Sequence, residues 1–318
     1  MAGDVSWVGL DDRALLRVEG PDARDLLQGL VSNDLGRLAP DRALHAALLT
    51  PQGKYLFDFV LLDDGRGAIL VDVERARVAE LRQRLLMYRL RAKATIEDAP
   101  ADLAVAAVLG EGAAERLGLP ADAGAARAGG QSDGTVSVVV DPRLADLGCR
   151  VVLPRAGLLV FASCHKLRPA AAEDYELHRL RLGVPDGSRD LVPQRSTLLE
   201  SGFEELRGVS FEKGCFVGQE LTARMKYRGL VKKRLFPVRV EGSLPPLGAV
   251  IVGGEGGGEA PEAGEMRSGH GDRGLALLRL EPALASARGG QELRAGEARL
   301  FAEVPTWMRL PVLASDVV

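Results

Sequence analysis

The most specific stretch of this 318-residue sequence runs Lys213-Gly214-Cys215-Phe216-Val217-Gly218-Gln219-Glu220. Because glycine adopts backbone conformations closed to other residues, the two glycines predict a tight turn that presents the thiol of Cys215. The polar residues after this turn predict a helix that begins near Gly218 or Gln219. The unpaired N–H groups and positive dipole end of such a helix favour a thiolate or a bound anion. A buried structural cysteine in a glycine turn is the competing interpretation.

Residues 208–220, followed by Ala223-Arg224-Met225 and Arg228-Gly229, resemble the signature of the YgfZ family. These are folate-binding proteins of iron-sulfur cluster maintenance, related to the aminomethyltransferase (T-protein) of the glycine cleavage system. Further stretches resemble the family in the same order along the chain: Asp22-Ala23, Leu27-Gln28-Gly29, Ser32-Asn33-Asp34, Thr50-Pro51-Gln52-Gly53-Lys54, Asp141-Pro142-Arg143, Leu147-Gly148 and Gly183-Val184-Pro185-Asp186-Gly187.

The resemblance implies a multi-domain α+β fold in which two α/β segments with ferredoxin-like character and a C-terminal antiparallel β-barrel form a ring around a folate channel. It implies tetrahydrofolate, or a folate derivative, as cofactor, and iron-sulfur enzymes or cluster-assembly proteins as partners. Cys215 and Asp58 are the expected catalytic residues. The expected cofactor-binding residues are Lys213, Gly214, Gly218, Gln219, Glu220, Arg224 and Arg181.

Composition adds modest limits. A hydrophobic content of 46% over this length predicts about two domains, or three small ones. No apolar run reaches the ~18 residues that span a bilayer and the N-terminus has no signal pattern, so we expect a cytoplasmic protein without a membrane partner. Cys149, Cys164 and Cys215 form no Cys-x-x-Cys pair, which favours reduced thiols and argues against a local zinc motif. The net charge of −3 gives no general attraction to DNA.

The first two thirds of the chain carry an α+β pattern. Val78, Leu81, Leu85 and Tyr88 fall on one helical stripe, which predicts an amphipathic helix over residues 74–89. Turn signals and apolar periodicity predict strands at 13–18, 44–49, 55–62 and 68–73, a helix from Gly20-Pro21 to about Leu30, and a helix over about 171–182 that ends at Gly183.

From about Lys232 the sequence changes to short strand-like runs separated by glycine and proline, and no helix is expected there. This spacing predicts a small antiparallel barrel. Its candidate strands are 234–240, 248–252, 263–268, 274–280, 291–294 and 297–303. We therefore expect a folate-binding α+β region over residues 1–231, made of two intertwined subdomains, and a β-barrel domain over residues 232–318.

Asp58 interrupts a row of apolar side chains. In the strand predicted over residues 55–62 it shares a face with Leu56 and Val60. A carboxylate there needs a hydrogen bond or a cation, so Asp58 is a functional-site candidate, with a satisfied structural carboxylate or an edge-strand position as alternatives. The resembling aminomethyltransferases carry two adjacent aspartates in this segment, one of which contacts folate. Here the pair is Phe57-Asp58, which argues against aminomethyl transfer and leaves room for folate binding.

A second departure lies at Arg181. T-proteins have a glutamate at the matching position, just before an Ala-Gly, and that glutamate holds the pterin ring. Arginine cannot accept the pterin N–H hydrogen bonds, but it can pair with the glutamate tail of folate. The histidines show no ligand spacing and are interpreted as surface or satisfied structural groups: His45, His165, His178 and His270.

Three functions stay open at this point. The first is a tetrahydrofolate-binding protein that assists assembly or repair of iron-sulfur enzymes, with Cys215 as its reactive residue. The second is a folate-dependent aminomethyl- or methyltransferase, which needs an acid such as Asp58. The third is a nucleic-acid-binding or scaffold module that uses the basic stretch 224–234, where Tyr227 is the one aromatic residue available for stacking on bases.

Overall fold

The computed structural model describes residues 4–129, 137–253 and 261–310. The chain forms two compact units. Unit 1 comprises Met1–Pro51, Leu56–Tyr175 and Leu206–Gln219, and unit 2 comprises Gln52–Tyr55, Glu176–Glu205 and Glu220–Val318. The predicted division between residues 231 and 232 stays a prediction, because these units group residues 176–205 with the C-terminal strands.

The first part of the chain alternates strands and helices. The strands are β1 (Ser6–Gly9), β2 (Arg13–Glu19), β3 (Leu44–Leu49), β4 (Tyr55–Asp63), β5 (Ala68–Glu74), β6 (Thr95–Asp98), β7 (Leu103–Leu109), β8 (Ala126–Ala128), β9 (Ser137–Val140), β10 (Cys149–Pro154) and β11 (Arg168–Pro169). The helices are α1 (Ala23–Leu30), α2 (Val78–Arg89), α3 (Ala113–Arg116), α4 (Leu158–Cys164) and α5 (Ala172–Leu182).

These strands form two sheets. One has the order β3-β4-β5-β2-β6 and the other has the order β11-β1-β7-β10-β9-β8. In the first sheet β2 and β5 pair antiparallel, with Leu16 opposite Val71. β4 lies between β3 and β5, and its residues up to Leu62 are buried on both faces. An edge-strand position for Asp58 is therefore excluded.

Three apolar cores stabilise unit 1. Leu81 and Leu85 of α2 pack against the outer face of the first sheet, and Phe161 of α4 belongs to the core on the outer face of the second sheet. A third core joins side chains of both sheets, including Val60 of β4 and Val105 of β7. The sheets therefore pack face to face, with helices on their outer sides, as expected for α+β layers whose strands are apolar on both faces.

Unit 2 contains a closed antiparallel barrel with the order β12-β15-β14-β13-β16-β17. Its strands are β12 (Lys233–Glu241), β13 (Val250–Gly253), β14 (Glu262–His270), β15 (Arg273–Arg279), β16 (Leu293–Ala295) and β17 (Ala298–Ala302). Helix α6 (Gln219–Tyr227) precedes the barrel and α7 (Leu280–Ala287) follows β15. The predicted α+β class and the predicted C-terminal antiparallel barrel are confirmed.

The expectation of no helix after residue 232 is wrong. Helix α7 buries Leu280, Ala283 and Leu284, which lie at the i, i+3 and i+4 positions of one helix face. Pro282 is among the prolines that separate the strand-like runs in this part of the sequence. In the first turn of a helix, however, a proline costs little, because the N–H that it lacks has no partner within the helix.

Candidate functional site

The residues before Cys215 are fixed to the turn after α1. The hydroxyl of Ser32 donates to the carbonyl of Gly208 at 2.5 Å, and the backbone N–H of Ser210 donates to the carbonyl of Ser32 at 3.0 Å. The side-chain amide of Asn33 donates to the carbonyl of Arg207 at 2.7 Å. Two stretches that are far apart in sequence but both match the family signature are therefore joined by buried hydrogen bonds.

Lys213 closes this attachment. Its ammonium group donates to the backbone carbonyls of Gln28 at 2.7 Å, Val31 at 2.7 Å and Asn33 at 2.8 Å. Burial lowers the pKa of Lys213 to about 8. An ammonium group has three N–H donors, and here all three are engaged by carbonyls of the last turn of α1 and of the residues that follow it. In this arrangement Lys213 holds the loop, and its predicted cofactor contact stays a prediction.

Cys215 lies on the exposed part of this loop. Gly214 is also exposed, and a Cβ added to it would meet no atom within 4 Å. On the other side of the cysteine, Phe216 is buried and the N–H of Val217 donates to the carbonyl of Gly29 at 3.2 Å. The thiol is therefore presented between two anchored points, and the interpretation of Cys215 as a buried structural cysteine is wrong.

The predicted helix after the glycine turn is confirmed as α6. Gly218 has a φ of +82°, which glycine adopts without strain, and α6 begins at the next residue. The side-chain oxygen of Gln219 accepts from the N–H of Phe216 at 3.2 Å. Gln219 thus closes the loop at the start of the helix, while Glu220 and Arg224 are exposed on α6. Cys215 precedes an N-terminal helix end that attracts negative charge.

Asp58 is buried beside a histidine. Its Oδ2 atom lies 3.7 Å from Nε2 of His45, and both residues are nearly inaccessible, with Asp58 5% exposed. Nδ1 of His45 lies 3.0 Å from the carbonyl oxygen of Leu206, which it can contact as a donor in the corresponding tautomer. His45 thus connects β4 to the first residue of the 206–219 segment. The role of Asp58, as a functional or a structural carboxylate, stays a prediction.

The two predicted arginine ligands are accessible. Arg181 lies in the last turn of α5 and Arg224 in the C-terminal half of α6, and both are exposed. Neither guanidinium group forms an ion pair with any of the residues that the structure describes. Each can therefore donate to a carboxylate or phosphate group of a ligand.

The Asp141-Pro142-Arg143 motif lies in a buried ion network. Arg150 of β10 donates to Asp72 of β5 at 2.7 Å and to Asp141 at 2.8 Å. Asp72 also accepts from Arg13 at 2.7 Å, and Asp141 from Arg143 at 2.8 Å. The network links the two sheets of unit 1. Sequence reasoning did not find it, because the partners lie up to 78 residues apart.

Electrostatics in this network keep Asp141 charged. Burial alone raises the pKa of a carboxyl group, but the adjacent guanidinium groups of Arg143 and Arg150 outweigh burial and lower the pKa of Asp141 far below its ordinary value. Nearby, burial and the negative charge of Asp141 raise the pKa of Cys149 to about 12. Cys149 is therefore a protonated, inert thiol at neutral pH.

Among residues 4–129, 137–253 and 261–310, no group of three or more histidine, cysteine, aspartate or glutamate side chains has the spacing of a metal site. Cys164 at the end of α4 is exposed, as Cys215 is, and so offers a natural control thiol. In the same described ranges, no helix is long and apolar enough to cross a membrane.

Comparison with known proteins gives consistent results. Residues 232–310 match the family of the CAF17 C-terminal beta-barrel domain. The chain is 36% identical to the mitochondrial iron-sulfur cluster assembly factor IBA57 of Mus musculus, over 96% of this chain and 87% of that protein. It is also 36% identical to the Homo sapiens protein of the same name, over 94% of this chain and 84% of that protein. Both relatives are mitochondrial by name, and a cytoplasmic location for this chain stays a prediction.

Among solved structures, the chain resembles the glycine cleavage system aminomethyltransferase T from Bartonella henselae. The TM-score is 0.75 at 16% identity, and the match covers 96% of this chain and 87% of that chain. At this identity the likeness establishes the fold alone.

Proposed function

We propose, on the premise that this chain belongs to the IBA57 family of iron-sulfur cluster assembly factors, that it takes part in iron-sulfur cluster assembly and that Cys215 is its cluster-contacting residue. The proposal rests on the position and exposure of Cys215. Cys215 is exposed on a loop that hydrogen bonds fix on both sides, and it lies four residues before the start of α6. A thiolate presented in this way can bind iron without a large rearrangement of the chain.

The number of ligands limits what this site can do. Iron-sulfur clusters are usually held by about four cysteine thiolates. Within the described parts of the chain, Cys215 has no cluster of further ligand residues around it. We infer that the remaining ligands of a bound cluster come from a second molecule, such as an assembly protein, a client enzyme or a small thiol. The cluster is then cargo, which the chain holds briefly and passes on.

Deletion of the chain's gene tests this role in cells. We expect lower activity of cluster-dependent dehydratases and radical enzymes, most visibly under oxidative stress, with normal activity of cluster-free enzymes of the same pathways. The purified protein should not replace T-protein in a reconstituted glycine cleavage assay, because the aspartate pair is reduced to Phe57-Asp58. Normal cluster-enzyme activity in the deletion strain, together with robust glycine cleavage, would overturn the proposal in favour of the transferase.

The finer proposal is that the chain shares the folate binding of the YgfZ proteins that its sequence resembles. Arg181 and Arg224 are exposed and have no ion-pair partner among the described residues, so they suit the carboxylates of a folate tail. Asp58 is buried against His45 and offers no accessible acceptor to a pterin ring. The residues present therefore fit the anionic tail. A bound tetrahydrofolate would supply a one-carbon acceptor.

Thermal unfolding of the purified protein tests folate binding. Because a ligand that binds the folded state alone stabilises it, tetrahydrofolate should raise the melting temperature in a concentration-dependent way. Arg224→Gln should reduce this shift, whereas Arg279→Gln, an exposed arginine at the end of β15, should leave it unchanged. Absence of any shift at millimolar reduced folate contradicts the folate proposal and leaves the role of Cys215 untouched.

A further inference from the structure

A polar cavity of about 240 Å³ lies in unit 2, between residues 190–201 and the barrel strands β12, β14 and β15. Its lining includes three cationic side chains, Arg195, Lys233 and Arg267, and three hydroxyl groups, those of Ser196, Thr197 and Ser201. None of the residues assigned above to the cysteine loop or to the folate tail lines this cavity. It is therefore a separate feature of the molecule.

Arg267 is the central group of this cavity. The residue is 7% exposed, so its guanidinium group has lost most of its contact with water. One terminal nitrogen donates to Glu265 at 2.7 Å, but the buried Nε atom has no hydrogen-bond partner among the described residues. A buried donor without a partner is costly, and native structures usually satisfy such groups with a ligand, an ion or water.

A second guanidinium group stands near the first. Burial lowers the pKa of Arg267, and the positive charge of Arg195 lowers it further. Arg195 is exposed and Lys233 is partly buried, and neither side chain forms an ion pair with a described residue. The cavity thus gathers three cations, of which two have no paired anion, and the repulsion between the two arginines is relieved by a negative group placed among them.

The acidic residues of the lining are already engaged. Asp190 accepts from Arg179 at 2.8 Å and from the N–H of Asp186 at 2.8 Å. Glu265 is paired with Arg267, and Glu200 accepts from the hydroxyl of Thr197 at 2.6 Å. Glu200 forms no ion pair with a described residue, so its carboxylate stands against the two unpaired cations Arg195 and Lys233, and the net unpaired charge of the lining is positive.

We propose that this cavity is a binding site for a small oxyanion, namely the carboxylate or phosphate group of a metabolite. Arg195 and Arg267 hold its oxygens by charge-assisted hydrogen bonds, and Lys233 contributes a further positive charge. The hydroxyl of Ser196, which accepts from the N–H of Val192, donates its own proton to a remaining oxygen. Paired guanidinium groups with hydroxyl donors are the usual protein partners of both groups. The site is independent of Cys215 and of the proposed function.

Calorimetric titration of the purified full chain tests the site, with inorganic phosphate and succinate as separate probes at constant ionic strength. Binding of phosphate alone assigns a phosphate site, binding of succinate alone assigns a carboxylate site, and binding of both supports a general oxyanion site. Arg195→Gln should weaken binding about tenfold, the factor expected when one charge-assisted hydrogen bond is lost. Arg195 is exposed and unpaired, so this variant should fold normally.

Two further variants provide a charge-matched control and a second test of the cavity. Arg279→Gln removes the same charge from an exposed position of the barrel outside the cavity, and its affinity should stay within about twofold of the parent. Arg267→Lys keeps the charge but removes the Nε donor, and it should also bind more weakly. Failure of both probes to bind at millimolar concentration, or equal weakening by Arg195→Gln and Arg279→Gln, refutes the proposal.

Discussion

The chain contains two Gly-Cys pairs beside basic residues, and the fold treats them in opposite ways. Gly148-Cys149 precedes Arg150 and is buried, whereas Gly214-Cys215 follows Lys213 and is exposed. At Gly148 a Cβ would approach the carbonyl oxygen of Val108 to 2.1 Å, but at Gly214 it would meet nothing within 4 Å. The chemistry of a cysteine motif therefore depends on its surroundings in the fold. The buried motif stabilises the fold, and the exposed one offers a thiol.

The largest effect is expected from the buried motif. Asp141→Asn removes the carboxylate that Arg143 and Arg150 share, so that Arg143 loses this ion pair and Arg150 keeps the one with Asp72 alone, which should lower the free energy of unfolding by about 3–5 kcal/mol. Urea denaturation at neutral pH measures the loss. Asp11→Asn, which breaks an exposed ion pair with Arg155, is the control and should have little effect.

The difference in unfolding free energy between the parent and Asp141→Asn should depend on pH. Because the pKa of Asp141 is lowered in the folded state, its ionisation contributes stability that is complete above the unfolded-state pKa near 3.8. That contribution falls as the pH drops below this value toward the lower folded-state pKa. The stability gap between the parent and Asp141→Asn should therefore narrow below about pH 4. A gap that stays constant down to pH 3 contradicts this electrostatic account.

Substitution of Gly148 and Gly214 by alanine tests whether the two Gly-Cys motifs differ in the space around their backbone. Gly148 has a φ of +87° and no room for a Cβ, so Gly148→Ala should cost roughly 3 kcal/mol through strain and displaced backbone. Gly214→Ala should change stability by less than about 0.5 kcal/mol, because its site is open. Similar losses in the two variants, measured by thermal and urea unfolding, would remove the structural distinction between the motifs.

A smaller loss is expected at Lys213. Lys213→Met retains much of the aliphatic stem but leaves the carbonyls of Gln28, Val31 and Asn33 without their shared donor, which should cost about 1–3 kcal/mol. Lys232→Met, at an exposed position, is the control. Equal urea midpoints for the two variants would show that the ammonium group does not anchor the loop.

Sequence patterns predicted many of the helices and strands, because each has a regular spacing of apolar residues or a turn residue at its end. The predicted apolar stripe on α2 is confirmed, because Leu81 and Leu85 are buried on one helix face. The predicted barrel is confirmed, because turn residues separate short apolar runs that form its strands. The start of α6 followed from the glycine turn at Gly218. Local spacing carries this information, since each signal lies within one element.

The long-range pairs could not be predicted in this way. Nothing local in Asp141-Pro142-Arg143 shows that Arg150 reaches Asp72 in the other sheet, and His45 gave no sign that it lies between Asp58 and Leu206. Nothing local showed that the donors of Lys213 are engaged by three carbonyls, and its contact with a cofactor stays a prediction. The exposed cysteine itself was found from its glycines, but its exposure needed the tertiary structure.

The smallest expected effect is a difference in the reactivity of the cysteine thiols, which needs no substitution. Brief treatment with iodoacetamide at neutral pH, followed by peptide mapping, should label Cys215 faster than Cys164, because Cys215 lies on an exposed loop beside the open site at Gly214, whereas Cys164 lies in the last turn of α4. Cys149 should stay unlabelled in the folded protein, since it is buried and its pKa is raised to about 12. Equal rates of labelling at the two exposed cysteines would contradict the expected difference between Cys215 and Cys164.

If Cys215 binds a cluster whose other ligands belong to a second molecule, a glutathione-ligated cluster should attach to the protein through this thiol. Visible circular dichroism after anaerobic mixing of the pure protein with a glutathione-ligated [2Fe–2S] cluster tests it most directly, because the signal arises when the cluster enters the chiral surroundings of the protein. The parent and Cys164→Ser should both develop the signal, and Cys215→Ser should not. An undiminished signal in Cys215→Ser, or a loss confined to Cys164→Ser, would contradict the account.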